Sequence, residues 1–186
     1  MRRFYRDYDS IHRFTQSLDY HQSELECDHC LKNDQFVSHG NIYKQRSMNN
    51  AEKVGKRLFC SNRYGRTGCG RTFQLYVATE IPSFRYGAAS LFVFITALLA
   101  HLKISEAYEQ ATGQTEPRNA WRWLHKLMFR LSELRSFLRV RDHPSVGTVP
   151  KQPGYLPHLL PTLARLFTPH NNGCFDFQIS QQRAFF

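Results

Sequence analysis

Apolar positions along this chain change their spacing several times, and each change marks an element. Phe4, Tyr8, Ile11 and Leu18 recur at helical intervals, so residues 1–22 read as a short N-terminal basic helix that docks its apolar stripe on the body. Arg2, Arg3, Arg6 and Arg13 line its polar side. After a linker, Ile81-Pro-Ser-Phe-Arg-Tyr-Gly87, the run Ala88 to Leu102 is almost wholly apolar. It falls short of the ~20 residues that a membrane span needs, so it reads as a buried core helix with Leu91, Ile95, Leu98 and Leu102 on one face.

Two further helices follow that run. Ser105 is placed to cap a short helix ending near Ala111, Gly113 to close it in the left-handed conformation, and Thr115-Glu116-Pro117 to open another. The last of these is expected to run from Pro117 to Val140, burying Ala120, Leu124, Leu127, Leu131, Leu134 and Leu138 against the body or a second copy of the chain. Its outer side near the N-terminus carries Arg118, Asn119, Arg122 and Lys126. Trp121 and Trp123 face different ways, so one of them belongs to the core. Helix, short turn and basic helix have the shape of a helix-turn-helix, in which Arg pairs with guanine and Asn with adenine from the start of the second helix. An ordinary helical hairpin with a solvated basic face has the same pattern. From Arg141 onward, prolines at 144, 150, 153, 157, 161 and 169 punctuate the chain and predict an irregular arm, with Phe185-Phe186 as a core strap or a docking peptide.

The chemistry sits between the first helix and the apolar run. Cys27-Asp-His-Cys30 is a Cys-x2-Cys knuckle, and Cys60 and Cys69 supply a second pair thirty residues on. Two such pairs suit a tetrahedral zinc ion, and Gly65, Gly68 and Gly70 let the backbone around Cys69 turn its N–H groups toward sulfur. Eight residues separate Cys60 from Cys69, so Ser61 to Gly68 must loop out of the knuckle. A ligand set using His29 or His39, a disulfide pairing, and unrelated cysteine hairpins are the alternatives. Cys174 stands apart and reads as a small buried apolar residue or a free thiol.

From Cys27 to Phe73 the chain resembles the zinc ribbon of insertion-sequence transposases and their small regulatory partners. The resemblance rests on the Cys-x2-Cys, Val37-Ser-His-Gly40, Ile42-Tyr-Lys44, Gly55-Lys-Arg57-Leu-Phe59-Cys60 and Cys69-Gly-Arg-Thr-Phe73. Gly113, Thr115 and Arg122-Trp123 also resemble the helix-turn-helix segments of such transposases. The likeness implies a mixed, mostly α fold: a zinc ribbon over 23–80, a helical helix-turn-helix domain over 84–140 and a Pro-rich C-terminal arm over 141–186. It implies one structural zinc held by Cys27, Cys30, Cys60 and Cys69, and work beside a transposase or recombinase.

Charge points the same way. The chain has 25 Lys plus Arg against 15 Asp plus Glu, a net charge of +10 and a sequence pI near 9.6, which favours a polyanionic partner such as double-stranded DNA. Arg63, Arg66, Arg71 and Lys44 are the phosphate-facing candidates of the ribbon, and Arg118, Asn119, Arg122 and Lys126 the base-reading ones. The start Met1-Arg-Arg-Phe-Tyr-Arg lacks the apolar segment of a secretory signal, so the expectation is a reducing cytoplasm and thiols free to bind metal. No Gly-rich phosphate loop or His-Glu-x-x-His helix is present, and the acidic residues after the ribbon fall mostly on expected helices. The expected role is therefore a DNA-binding accessory or regulatory protein of a mobile element, not an enzyme; a protein-interaction adaptor and a stand-alone transcriptional regulator are the alternatives.

Overall fold

A four-stranded sheet with the order β1-β4-β3-β2 holds the N-terminal part together: β1 (Arg2–Tyr5), β2 (Phe36–Ser47), β3 (Asn50–Cys60) and β4 (Thr72–Val77). The structure, a computed structural model, describes residues 2–19, 25–47, 50–138, 154, 156–168 and 171–186. It divides into two compact units, Met1–Arg85 with Gln178–Ala184, and Tyr86–Phe177 with Phe185–Phe186. The class is mixed α and β.

In the first unit β2 and β3 form a long antiparallel hairpin, β4 adds antiparallel to β3, and β1 closes the sheet parallel to β4. The polar residues 45–47 and 50–52 lie within β2 and β3. Helix α1 (Tyr8–Asp19) carries the apolar stripe read from the sequence, although Arg2–Tyr5 extends into a strand where one helix over 1–22 is expected. Ile11 and Leu18 of α1 share a buried cluster with Phe36, Leu58, Phe73 and Leu75, and Cys27 and Cys60 belong to it. The rings of Phe36 and Phe73 meet edge to face at 5.0 Å, a preferred aromatic geometry. Gln182 completes the unit by pairing its side-chain amide with the backbone of Phe4, whose N–H donates to Oε1 at 2.8 Å and whose carbonyl accepts from Nε2 at 3.0 Å.

The second unit is helical: α2 (Ala88–Leu99), α3 (Ile104–Thr112), α4 (Arg118–Phe129), α5 (Leu131–Phe137), α6 (Leu156–Leu166), a short hairpin β5 (Phe167–Thr168) and β6 (Asn171–Asn172), and the first part of α7 (Gly173–Gln181). Leu91, Phe94, Ile95 and Leu98 of α2 are buried, and Phe94, Tyr108 and Trp123 form an edge-to-face triad with centroids 5.1 to 6.4 Å apart. Trp123 is thus the core tryptophan, and Trp121 stays 41% exposed.

Several expectations change here. The single helix over 117–140 breaks at Arg130, whose φ of −94° and ψ of 2° lie off the helical values. The stripe Ala120, Leu124, Leu127, Leu131 and Leu134 is nonetheless buried, and Leu138, expected to continue it, is half-buried. Helix α3 is capped by Lys103, not Ser105, because Glu106 turns back to accept the Lys103 N–H at 3.3 Å. Gly113 closes α3 at φ 69°, as the sequence predicts, while Pro117 and not Thr115 occupies the cap of α4. Where an irregular arm is expected, α6 and α7 are helical, and α6 accommodates Pro161 inside. Phe185 is fully buried against Phe167 and Phe177, so the tail is a core strap in its own unit; residues 139–153 lie outside the described ones.

Candidate metal centre

Three segments converge on the four cysteines. The first knuckle, Cys27 to Cys30, is a tight turn with Leu31 N–H donating to Cys27 O at 2.8 Å, after which Cys27 N–H donates to Lys32 O at 3.1 Å. Leu31 takes φ 55° to let the chain double back. Cys60 ends β3, and Cys69 sits just before β4, so the β3–β4 pairing brings the second pair together across the eight-residue excursion. Cys60 N–H donates to Arg71 O and Gly70 N–H to Cys60 O, both at 2.9 Å, continuing that ladder to the site.

The four sulfurs lie within 4.8 Å of one another. Cys27 Sγ is 3.7 Å from Cys69 Sγ, and Cys30 Sγ is 3.7 Å from Cys60 Sγ. A tetrahedron with metal–sulfur bonds of about 2.3 Å has edges of about 3.8 Å, so these separations fit an ion at the centre. Disulfides, which need about 2.05 Å between sulfurs, are excluded, and all five cysteines are free thiols. Among the described residues no histidine joins the cluster. His29 and His39 are exposed, the latter tilted against Phe59 at 5.5 Å.

Electrostatics favour a cation at this spot. Burial raises the Cys27 thiol, but N–H groups of Cys30 and His29 and the neighbouring thiols outweigh it and bring it down to about 7. Burial pushes the Cys60 thiol up to about 12, against the pull of the Cys69 N–H. Cys27 ionises easily and Cys60 resists, since the neighbouring thiols add to burial in raising Cys60 and a second negative charge beside the first is unfavourable without a compensating ion. Four thiols at contact distance can hold one metal ion, closed on all sides by sulfur.

The excursion between Cys60 and Cys69 is braced, not loose. Gln35 anchors it twice, its carbonyl accepting Ser61 N–H and its side-chain oxygen accepting Thr67 N–H, both at 2.7 Å. Gly68 N–H donates to Ser61 O at 2.7 Å, Lys32 Nζ to Thr67 O at 2.8 Å, and the Arg66 guanidinium to Asp34 O. The role of Gln35 was not legible in the sequence, because a side chain that braces a loop across a knuckle has no spacing signature.

The proposed DNA contacts divide. Arg63 and Arg71 are exposed and Arg66 half-buried beside the centre, and Arg118, Asn119, Arg122 and Lys126 are all exposed on α4. Arg118 lies 3.4 Å from Glu116, Arg122 reaches Asn119 Oδ1 at 3.3 Å, and Lys126 sits over the Phe186 ring at 5.5 Å. Lys44 must be withdrawn from the set. Its Nζ pairs with Glu80 Oε2 at 2.8 Å and donates to Ile81 O at 3.3 Å, with side-chain exposures of 15% and 8% for Lys44 and Glu80, so it serves the fold. Cys174 is buried, as expected. No protein-family model, curated protein or solved structure matches the chain.

Proposed function

We propose that the four-cysteine centre holds one structural zinc and that the chain binds double-stranded DNA in a sequence-selective way, without catalysis, as an accessory or regulatory factor of a mobile element beside a transposase or recombinase. Zinc is favoured over other ions because an all-thiolate tetrahedral set suits it and leaves no open position for chemistry. The partner is inferred from the resemblance described above and from the net charge of +10.

The observation that carries the DNA reading is the exposed row on α4. It opens after the left-handed Gly113 turn and presents Arg118, Asn119 and Arg122 in its first turns, clear of the buried face made by Ala120, Trp123, Leu124 and Leu127. In this reading α4 enters the major groove, and Arg63, Arg66 and Arg71 lie along phosphate. Selection from random duplexes, followed by a salt series on the selected site, tests it. A recovered consensus with a linear fall of log affinity against log salt supports the proposal, and the absence of both overturns it.

One observation favours the adaptor alternative. Trp121 and Phe129, 41% and 81% exposed, stand on the same helix, with Arg122, His125 and Lys126 lining the surface around them. An aromatic strip of this kind suits a protein partner as well as a groove. If α4 binds a recombinase, Phe129→Ala weakens that complex and leaves duplex affinity unchanged.

A further inference from the structure

We propose that Tyr64, at the tip of the braced excursion between Cys60 and Cys69, is a stacking wedge that takes an unpaired base from DNA; this rests on the duplex-binding reading and adds a contact it does not contain. Tyr64 is 100% exposed, so its ring stabilises nothing within the described fold. It also stands where a tyrosine is unfavourable. Tyr64 and Gly65 have φ of 55° and 81°, and Arg66 N–H donates to Arg63 O at 3.1 Å, which makes Arg63 to Arg66 a tight turn with both central residues on the left-handed side. Asn, Asp or Gly fill the first of those positions without strain, whereas a bulky residue there is an outlier. An aromatic ring held in a disfavoured conformation, wholly in solvent, is explained by something it meets from outside.

The setting says what that is. Arginines flank the tip on both sides, Arg63 and Arg66, and the chain as a whole is strongly basic, which selects a polyanion. The free ring offers a face to a base, and the exposed Arg63 next to it in the chain offers charge to a phosphate; stacking of this kind tolerates any sequence because every base has a π-face. The finger is also rigid before binding. Ser61 Oγ accepts Arg63 N–H at 3.2 Å, and the bonds from Gln35, Lys32 and Gly68 hold the stem, so little ordering is left to do when the ring engages. Wedges that enter a base stack do so where unstacking is easiest, at mismatched or unpaired bases.

The test uses the full chain purified with zinc and two probes, a fully paired duplex and the same duplex carrying one unpaired 2-aminopurine. The protein is expected to bind the second about tenfold more tightly and to quench its fluorescence by stacking. Tyr64→Asn, which suits the left-handed turn, is expected to retain its metal, bind the paired duplex within about threefold of the parent and lose the preference; Tyr64→Trp is expected to keep it. Equal binding of the two probes by the parent protein, or a Tyr64→Asn variant that still prefers and quenches the unpaired base, overturns the proposal while duplex binding stands. Binding to neither probe overturns the DNA reading and the wedge with it.

Discussion

The backbone N–H of Cys69 points at the sulfur of Cys60 from 3.3 Å, so the second knuckle donates a hydrogen bond to its own ligand. This geometry depends on Gly68, immediately before it. A Cβ on Gly68 would stand 2.4 Å from Ser61 O and 2.6 Å from Cys60 Sγ, closer than Cβ atoms approach, so the loop and the sulfur must shift. Gly68→Ala is therefore expected to displace a ligand sulfur and lower metal affinity roughly 10–100-fold, as loss of a supporting contact around a metal does. Gly40→Ala, where a Cβ meets nothing within 4 Å, is the control: its φ of 97° makes it mildly destabilising, with metal affinity unchanged. Competition against a chromogenic chelator reads both.

Lys44 and Glu80 make a second prediction, since both are largely withdrawn from water and joined at 2.8 Å. Removing one partner leaves a buried charge uncompensated, and Lys44→Met is expected to cost about 3–5 kcal/mol of stability in denaturant unfolding. The double substitution Lys44→Met with Glu80→Gln should recover much of that loss. If Lys44→Met leaves stability unchanged and instead weakens DNA binding, the residue belongs to the DNA surface after all.

What could be read from the chain followed what has local signatures. Cys27, Cys30, Cys60 and Cys69 announce themselves by residue type and spacing, and the glycine at 113 by its place after a helix. The stripe from Ala120 to Leu134 survives the break at Arg130 because burial follows the apolar period, and the period runs on through the kink. Long-range pairings have no such mark. Arg2–Tyr5 became a strand because β4 offered it a partner some seventy residues on, and the prolines after 141 suggested an irregular arm although a helix can absorb Pro161 when its neighbours bury Leu159 and Leu163. Lys44 looked like a phosphate contact for the same reason, as nothing near it in sequence reveals that Glu80 folds beside it.

Proton release gives a third expectation. Without metal, Cys60 sits at about 12 and keeps its proton at neutral pH, while Cys27 at about 7 is partly ionised. Metal entry must then expel protons, so apparent affinity rises with pH by about tenfold per unit for each proton released near that pH. Calorimetric titration in buffers of different ionisation enthalpy measures the number directly. A heat that does not vary with buffer would mean that these thiols are not the ligands.

The DNA surface yields a fourth. Arg118→Ala or Arg122→Ala should relax base preference at a defined position and cost about 1–3 kcal/mol on the selected site. Arg63→Ala or Arg71→Ala should weaken binding to every duplex alike and flatten the salt dependence by about one contact. Repeating the selection with each variant compares them, and the opposite pattern would exchange the roles of α4 and the knuckle.

A metal drawing three segments together at the four cysteines is the central claim, and elemental analysis of the purified, reduced chain measures that most directly. The account predicts one zinc per chain, absent from Cys30→Ser and from Cys69→Ser, with the β2–β3–β4 unit losing its fixed structure as the ion leaves. A folded, reduced protein that contains no zinc, or one whose zinc survives both substitutions, would contradict it.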